Sequence, residues 1–345
     1  MKKETVLICP LDWGLGHAAR CVPVIKELLR LNFKVIIGAD KNPLAFLMQE
    51  FPDLETIVVP GYEVTYDEKG SFFKLFTESV RFNKYIKIEQ GLIDKIIEDH
   101  RIDVIISDNR YGLWSKSVKS ILITHQIFPK VPIGSSVAYK KIEQLIGNFD
   151  ECWIPDMEET PNLSGDLSHL KHLKQTYRFI GSLSRFSKLE DIVNTEIGVF
   201  GILSGPEPQR SIFEKILIEQ LENSNIKAVL VRGLPNASKE LKNTSEDLKI
   251  FNHLSTNEFL RYFQKSKAIV CRSGYSSIMD LATLGKQAIL IPTPGQTEQE
   301  YLAEYHLQQG NFYTQKQSKF NLEKGLIEME KYSPNIIAST NLSFL

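Results

Sequence analysis

The stretch "TVLICPLDWGLGHAARCVPVIKELLRLNFKVIIGAD", residues 5–40, carries the pattern that decides the fold. It opens with the short apolar run "TVLIC", turns through two glycines, continues as the amphipathic "AARCVPVIKELLRLN" and returns to a second apolar run, "FKVIIGAD". A strand, a helix and a second strand in this order predict a β-α-β unit whose two strands lie parallel in one sheet.

The same alternation continues along most of the chain. The runs "DVIISD", "SILITHQ" and "ECWIP" follow, and after an irregular region the pattern resumes with "GVFGILS", "KAVLVRG", "LKIFNHL", "AIVC" and "QAILIP". We therefore predict an α/β fold of two Rossmann-like, doubly wound domains that face a cleft. The predicted domains are residues 1–165 and 166–325, and a C-terminal segment, 326–345, is expected to pack back on the first domain.

Composition places the chain among ordinary globular proteins. Its 345 residues suit two domains, and 42% hydrophobic with 24% charged residues is typical of that class. A net charge of −1 argues against a nucleic-acid partner. The four cysteines are scattered without metal-ligand spacing, and no apolar run approaches the roughly 20 residues of a membrane span. We expect a cytoplasmic protein with free thiols and no metal site.

Ligands of open α/β sheets bind beyond the carboxyl ends of the strands, so the residues that follow each strand are the candidates. After the first strand, Gly14 and Gly16 permit a tight turn, and His17 follows where a helix begins. Asp108 ends a later strand, where it could orient a histidine or merely cap a turn. His125 also ends a strand and competes with His17 for an acid–base role. The loop alone leaves open whether His17 contacts a substrate or only starts a helix.

The richest candidate site lies in "CRSGYSSIMDLATLGKQAILIPTPGQTEQEY", residues 271–301. A strand is predicted to end at Cys271, residues 272–274 to form a turn, and a helix to run over about 276–284. Main-chain N–H groups at the helix start, nearby hydroxyls and Arg272 together favour an anionic ligand.

Asp280 lies three and four residues after Ser277 and Ser276, so it shares their side of this helix. This spacing places a carboxylate one turn from the anion site, within reach of ribose hydroxyls. An ordinary surface ion pair between Arg272 and Asp280 is the alternative interpretation.

Two further loops follow predicted strands in the second half. Glu298, Gln299 and Glu300 open another predicted helix, where acidic residues are also common as partners of the helix dipole. Ser204 and Gly205, in the turn "LSGPEPQRS", could approach a phosphate, although two prolines make this turn stiff and poor in N–H donors.

Two of these blocks together resemble the GT-B nucleotide-sugar glycosyltransferases, in particular the MurG-like family 28. "GLGHAAR" is similar to that family's glycine-rich loop ending in histidine, and residues 271–301 are similar to its nucleotide-sugar signature. The resemblance implies contacts with the donor diphosphate at four positions: Arg272, Ser273, Gly274 and Ser277. It implies ribose binding by Asp280, which stands where the family has glutamate.

The same resemblance implies roles for the remaining candidates. Gln299 and its neighbours Glu298 and Glu300 match positions that contact the transferred sugar, although Glu300 replaces a glutamine. Arg185, in "FIGSLSRF", matches an arginine that approaches the donor phosphates. His17 matches a histidine that binds the acceptor or removes its proton.

The resemblance implies a metal-independent, inverting glycosyltransferase that takes a hexosyl or N-acetylhexosaminyl group from a UDP-sugar substrate and needs no cofactor. A lipid-linked glycan, another glycan and a small molecule remain open as acceptors. A UDP-sugar epimerase and a non-catalytic nucleotide-sugar-binding subunit are the alternatives. Aromatic and basic residues in 70–87 either present a peripheral membrane surface, consistent with cell-envelope synthesis, or pack inside the domain.

Overall fold

A computed structural model of the protein describes residues 3–12, 14–61, 73–130, 135–170, 173, 175–186, 196–237, 246–335, 340 and 342, with the main chain alone over 73–81. These residues form two compact units. The first contains the described residues up to Arg185 together with Thr340 and Leu342, and the second runs from Phe186 to Asn335.

The first unit is built on a seven-stranded parallel sheet. Its strands are β1 (Thr5–Pro10), β2 (Lys34–Ala39), β3 (Glu55–Val58), β4 (Val104–Asp108), β5 (Lys119–Ile123), β6 (Glu151–Ile154) and β7 (Tyr177–Phe179). Its helices are α1 (Leu15–Arg30), α2 (Lys41–Glu50), α3 (Phe73–His100), α4 (Ser135–Ile146) and α5 (Asp166–His169). The strand order is β3-β2-β1-β4-β5-β6-β7, with every pair parallel.

The second unit repeats this plan with six parallel strands. They are β8 (Ile197–Ile202), β9 (Ala228–Val231), β10 (Leu248–Phe251), β11 (Ser266–Cys271), β12 (Ala288–Leu290) and β13 (Tyr313–Thr314). The helices are α6 (Gln209–Glu222), α7 (Thr256–Lys265), α8 (Tyr275–Leu284), α9 (Thr297–Gln308) and α10 (Leu322–Met329), with a 3-10 turn at Gln317–Lys319. The order β10-β9-β8-β11-β12-β13 matches that of the first sheet.

Both sheets reverse their winding direction at one pair of strands. In the first sheet the chain winds outward in both directions from β1 and β4, and in the second from β8 and β11. The loops that follow these central strands diverge to opposite faces, which opens a crevice at the carboxyl edge of each sheet. The predicted α/β class and doubly wound topology are confirmed in both units.

The predicted boundary at residue 165 lies too early. Strand β7 adds to the edge of the first sheet, where Cys152 pairs with Tyr177 and Ile154 with Phe179. Residues 166–185 therefore belong to the first unit and not to the second. Beyond the second unit, Thr340 makes an antiparallel bridge to Gly181 and also groups with the first.

A buried ion pair ties α3 to the loop that follows β4. Arg110 donates from Nε to Oε1 of Glu89 at 2.7 Å, and Oε2 of Glu89 accepts the Gly112 N–H at 2.9 Å. The same guanidinium donates to the main-chain oxygens of Val59 and Pro60 at 3.2 and 2.6 Å. These bonds satisfy both buried charges and hold the loops after β3 and β4 against the long helix.

We predict that Glu89→Gln lowers the free energy of unfolding by about 3 kcal/mol, because it leaves the buried charge of Arg110 without a counter-charge. Urea unfolding of the whole chain measures the change. Glu27→Gln is the matched control, since Glu27 pairs with Arg30 at the surface, and it should cause no measurable loss. Equal effects of the two substitutions would contradict the structural role given to Glu89.

Candidate active site

The first candidate site lies where the crevice of the first sheet opens. Parallel pairing sets Pro10 at the end of β1 beside Asp108 at the end of β4. Gly14 then caps α1 with φ of 84°, a main-chain conformation that residues with a Cβ rarely adopt. The turn brings His17, in the first turn of α1, to Asp108, with 3.2 Å between Nδ1 and Oδ2.

A second residue of α1, Arg20, completes this site. It donates from Nε to Oδ2 of Asp108 at 2.7 Å and from Nη2 to Oδ1, so the guanidinium binds the carboxylate through both oxygens. Its Nη1 lies 3.2 Å from Nδ1 of His125. Sequence analysis missed Arg20, although its position three residues after His17 places the two side chains on one helix face.

The electrostatics of this cluster keep Asp108 ionised. Burial opposes the charged form of this fully enclosed carboxyl group, but Arg20 and His17 outweigh it and hold the pKa at about 2. An ionised carboxylate only accepts hydrogen bonds, so the proton of the neutral His17 ring lies on Nδ1. The lone pair on Nε2 then remains for a proton, and the side chain is 15% exposed.

His125 differs from His17 in its surroundings. It is 2% exposed, and its Nδ1 must accept the bond from Arg20, because a guanidinium has no acceptor. The structure thus brings His17, Asp108 and His125 together around Arg20. The geometry favours His17 over His125 as the group that meets a substrate.

The second candidate site lies at the carboxyl edge of the second sheet. Helix α8 begins after Gly274, which makes no side-chain cap to it, and the first turn carries the positive end of the helix dipole. The helix covers Tyr275–Leu284, in agreement with the prediction, and carries Ser277 and Asp280 one turn apart. Ser273 is buried and donates from Oγ to the main-chain oxygen of Gln299 at 2.7 Å.

Arg272 lies beneath this helix start. It is 1% exposed, its Nη2 donates to the main-chain oxygen of Gln209 at 2.8 Å, and its guanidinium stacks 4.5 Å from the Phe213 ring centre. Burial lowers its pKa to about 10. The alternative of a surface ion pair with Asp280 is therefore wrong. Main-chain oxygens occupy its Nη1 and Nη2 atoms, whereas its Nε has no hydrogen-bond partner among the described residues.

Gln299 is held in one orientation at this edge. Its Oε1 accepts the main-chain N–H of Thr293 at 2.9 Å, and its Nε2 lies 4.0 Å from where a Cβ on Gly274 would stand. Gly205, in the loop after β8, adopts φ of 97°, and a Cβ at this position would stand 3.9 Å from Oγ1 of Thr293. The structure thus brings Gly205, Gly274 and Gln299 to one place.

Four further residues were predicted to bind the sugar donor, and they lie in separate loops and helix starts. Ser204 is half-buried in the loop after β8, and Glu298 lies in the first turn of α9. Glu300 is exposed and accepts the Gly295 N–H at 3.0 Å. Arg185 ends the first unit, with its guanidinium 5.3 Å from the Phe46 ring centre.

The described part of the chain bears on the expectations about metal sites and membrane spans. There, no group of three or more His, Cys, Asp or Glu side chains has the arrangement of a metal site. Within the same residues, no helix has the length and apolar character of a membrane span. The proposed membrane surface, 70–87, lies largely outside the described side chains, but Phe82 and Ile86 pack against the core around Tyr111.

Comparison with known proteins agrees with this architecture. Residues 210–341 match the model of the glycosyltransferase family 28 C-terminal domain. Two Methanosarcina proteins described as uncharacterized glycosyltransferases, from M. mazei and M. acetivorans, are each 24% identical over 86% of this chain and 81% of their own length. The chain is therefore similar to glycosyltransferases of family 28 in its C-terminal half, and to the two Methanosarcina proteins over most of its length.

Solved structures show the same GT-B fold in related glycosyltransferases. The glycosyltransferase of kitacinnamycin superposes with a TM-score of 0.62 at 14% identity, covering 95% of this chain and 91% of its own. Acinetobacter baumannii MurG gives a TM-score of 0.53 at 10% identity over 96% and 92% of the two chains. Arabidopsis thaliana UGT89C1 with UDP-L-rhamnose gives 0.61 at 14% identity over 97% and 91%. The predicted resemblance and fold class are confirmed.

We predict that Asp108→Asn makes the stability of the protein less sensitive to acid. Because the folded pKa of Asp108 is about 2 and its ordinary value is 3.8, the ionised group stabilises the fold above about pH 4. This contribution, roughly 2 kcal/mol, is lost as the pH falls toward 2. Urea unfolding between about pH 7 and pH 2 should show lower stability of the variant at neutral pH and a shallower decline in acid.

Asp166→Asn serves as the control, because Asp166 pairs with Lys130 in solvent. Its unfolding curve should follow the unmodified protein at every pH. An Asp108→Asn profile parallel to that of the unmodified protein would contradict the charge state assigned to Asp108.

Proposed function

We propose that this glycosyltransferase transfers a hexosyl or N-acetylhexosaminyl group from a UDP-sugar to an acceptor hydroxyl, with inversion at the anomeric carbon. The observation that carries the proposal is the His17–Asp108 pair. It joins an ionised carboxylate to a partly exposed histidine side chain whose proton faces the carboxylate, at the crevice of the first sheet. This is the arrangement of a general base.

In the proposed reaction His17 Nε2 accepts the proton of the acceptor hydroxyl. The oxygen attacks the anomeric carbon from the face opposite the diphosphate, and the bond from that carbon to the diphosphate oxygen breaks. UDP leaves with the bonding electron pair. Asp108 stabilises the imidazolium that forms, and Arg20 keeps Asp108 ionised and in position.

The donor is proposed to bind the second unit. The uncapped N-terminus of α8, together with Ser273, Gly274 and Ser277, faces the diphosphate and stabilises its developing charge without a divalent metal. Asp280, one turn along, accepts hydrogen bonds from the ribose hydroxyls. Gln299, with its amide orientation fixed by Thr293, donates from Nε2 to the transferred sugar.

The ligands of two structural relatives support a nucleoside diphosphate sugar as donor. UGT89C1 was crystallised with UDP-L-rhamnose and the rhamnosyltransferase SpnG with thymidine diphosphate. Glycans, lipid-linked glycans and small molecules are the acceptor classes to screen. A cytoplasmic location, with or without peripheral membrane contact, stays a prediction.

We predict that one variant lowers kcat and that another weakens UDP binding. His17→Gln keeps a donor toward Asp108 but has no basic ring nitrogen, so kcat should fall by about 10² to 10⁴ while the Kd for UDP stays unchanged. Asp280→Asn should raise the Kd for UDP about tenfold, because it loses charge-assisted bonds to ribose. Calorimetry with a panel of UDP-sugars, followed by acceptor screening with the tightest donor, provides both measurements.

Product analysis separates the alternatives. Transfer to the acceptor supports the proposal, a converted UDP-sugar without transfer indicates an epimerase, and binding without product indicates a non-catalytic subunit. Full turnover by His17→Gln would exclude His17 as the base. Unchanged UDP affinity of Asp280→Asn would overturn the ribose assignment.

A further inference from the structure

Three buried polar atoms on the loops after β11 and β12, at the carboxyl edge of the second sheet, have no hydrogen-bond partner among the described residues. They are Nε of Arg272, Oγ1 of Thr293 and Oε1 of Gln296. Each such atom costs stability, because folding removes it from water without replacing the bond. Their grouping on two neighbouring loops, after β11 and after β12, indicates a place that is completed by a ligand.

Thr293 supplies the one hydroxyl among these three atoms. The residue is 1% exposed, and its main-chain N–H already binds Oε1 of Gln299. Its Oγ1 lies 3.9 Å from the point where a Cβ on Gly205 would stand, and that glycine adopts φ of 97°. The missing side chain at residue 205 leaves space directly beside the hydroxyl.

The surroundings of this space favour an anion. The uncapped start of α8 presents main-chain N–H groups, and Thr293 can donate its own O–H. Gln299, which Thr293 orients, is proposed to hold the transferred sugar. In a nucleoside diphosphate sugar the phosphate next to the sugar is the distal one, so the hydroxyl beside Gln299 faces that phosphate.

We propose that Thr293 Oγ1 donates a hydrogen bond to a non-bridging oxygen of the distal phosphate of the donor, and so determines affinity for a diphosphate over a monophosphate. This inference rests on the proposed function. Since negative charge grows on this phosphate as the sugar leaves, the same bond strengthens during transfer and lowers the barrier.

The unpartnered state of the hydroxyl makes the inference testable apart from folding. Thr293→Val replaces the hydroxyl with a methyl group of similar size, so the ligand-free protein loses no hydrogen bond and its Tm should stay the same or rise. The variant should bind UDP at least tenfold more weakly and UMP as well as the unmodified protein does. Thr293→Ser, which keeps the hydroxyl, should restore UDP affinity.

Thr314→Val is the matched control in the same unit. The hydroxyl of Thr314 donates to the main-chain oxygen of Leu290 at 2.9 Å, so this variant should lower the Tm and leave UDP affinity unchanged. Calorimetry with UDP and UMP and thermal unfolding of each ligand-free variant give all the readouts.

Different results overturn different claims. UDP binding by Thr293→Val equal to that of the unmodified protein would overturn the role of Thr293 while the proposed donor stands. A lower Tm with unchanged UDP affinity would show that the hydroxyl binds a structural water. Equal weakening of UDP and UMP would place the contact away from the distal phosphate. Absence of UDP binding by the unmodified protein would overturn the proposed donor together with this inference.

Discussion

The candidate active site depends on a fully buried carboxylate that must keep its charge. A lone ionised aspartate in a protein interior would take up a proton, because burial penalises the charged form. Arg20 prevents this by binding both oxygens of Asp108 from within the same helix that carries His17. The pair therefore determines more than stability, since the charged Asp108 sets which ring nitrogen of His17 bears the proton.

The repeated topology explains why two separate sites arise on one chain. Each unit winds its parallel sheet outward from a central pair of strands, and each places its polar residues where the winding reverses. In the first unit this position holds a histidine and its carboxylate. In the second it holds an uncapped helix start and two loops with buried, unpartnered polar atoms. One unit thus carries acid–base groups, and the other carries groups suited to an anion.

Much of the fold could be predicted because parallel strands buried on both faces leave uniform apolar runs. The central strands and helix α8 lie where the alternation placed them. The edge strands β3, β7 and β13 were missed, because they are short and only partly buried, so their residues lack that pattern. The error of the domain boundary follows from β7, whose three residues extend the first sheet.

The site was predicted less completely than the fold, and for a different reason. The His17–Asp108 contact joins residues 91 positions apart, which the pairing of β1 with β4 and the turn at Gly14 bring together. Arg20 and Thr293 escaped notice because an arginine in a helix and a threonine between prolines are ordinary in sequence. Both residues are buried, and burial gives them their importance. Arg20 has a partner in Asp108, whereas the Thr293 hydroxyl has no hydrogen-bond partner among the described residues. The burial of Arg272 was also not visible in the sequence, while its contact with the donor diphosphate stays a prediction.

The tautomer of His17 decides whether this residue can act as the general base. Nitrogen-15 NMR of the imidazole, recorded at a pH where the ring is neutral and assigned by comparison with His17→Gln, distinguishes the protonated from the unprotonated nitrogen. We predict a proton on Nδ1, a free lone pair on Nε2, and loss of this preference in Asp108→Asn. A proton on Nε2 in the unmodified protein would contradict the account, because His17 could not then accept a proton from an acceptor hydroxyl.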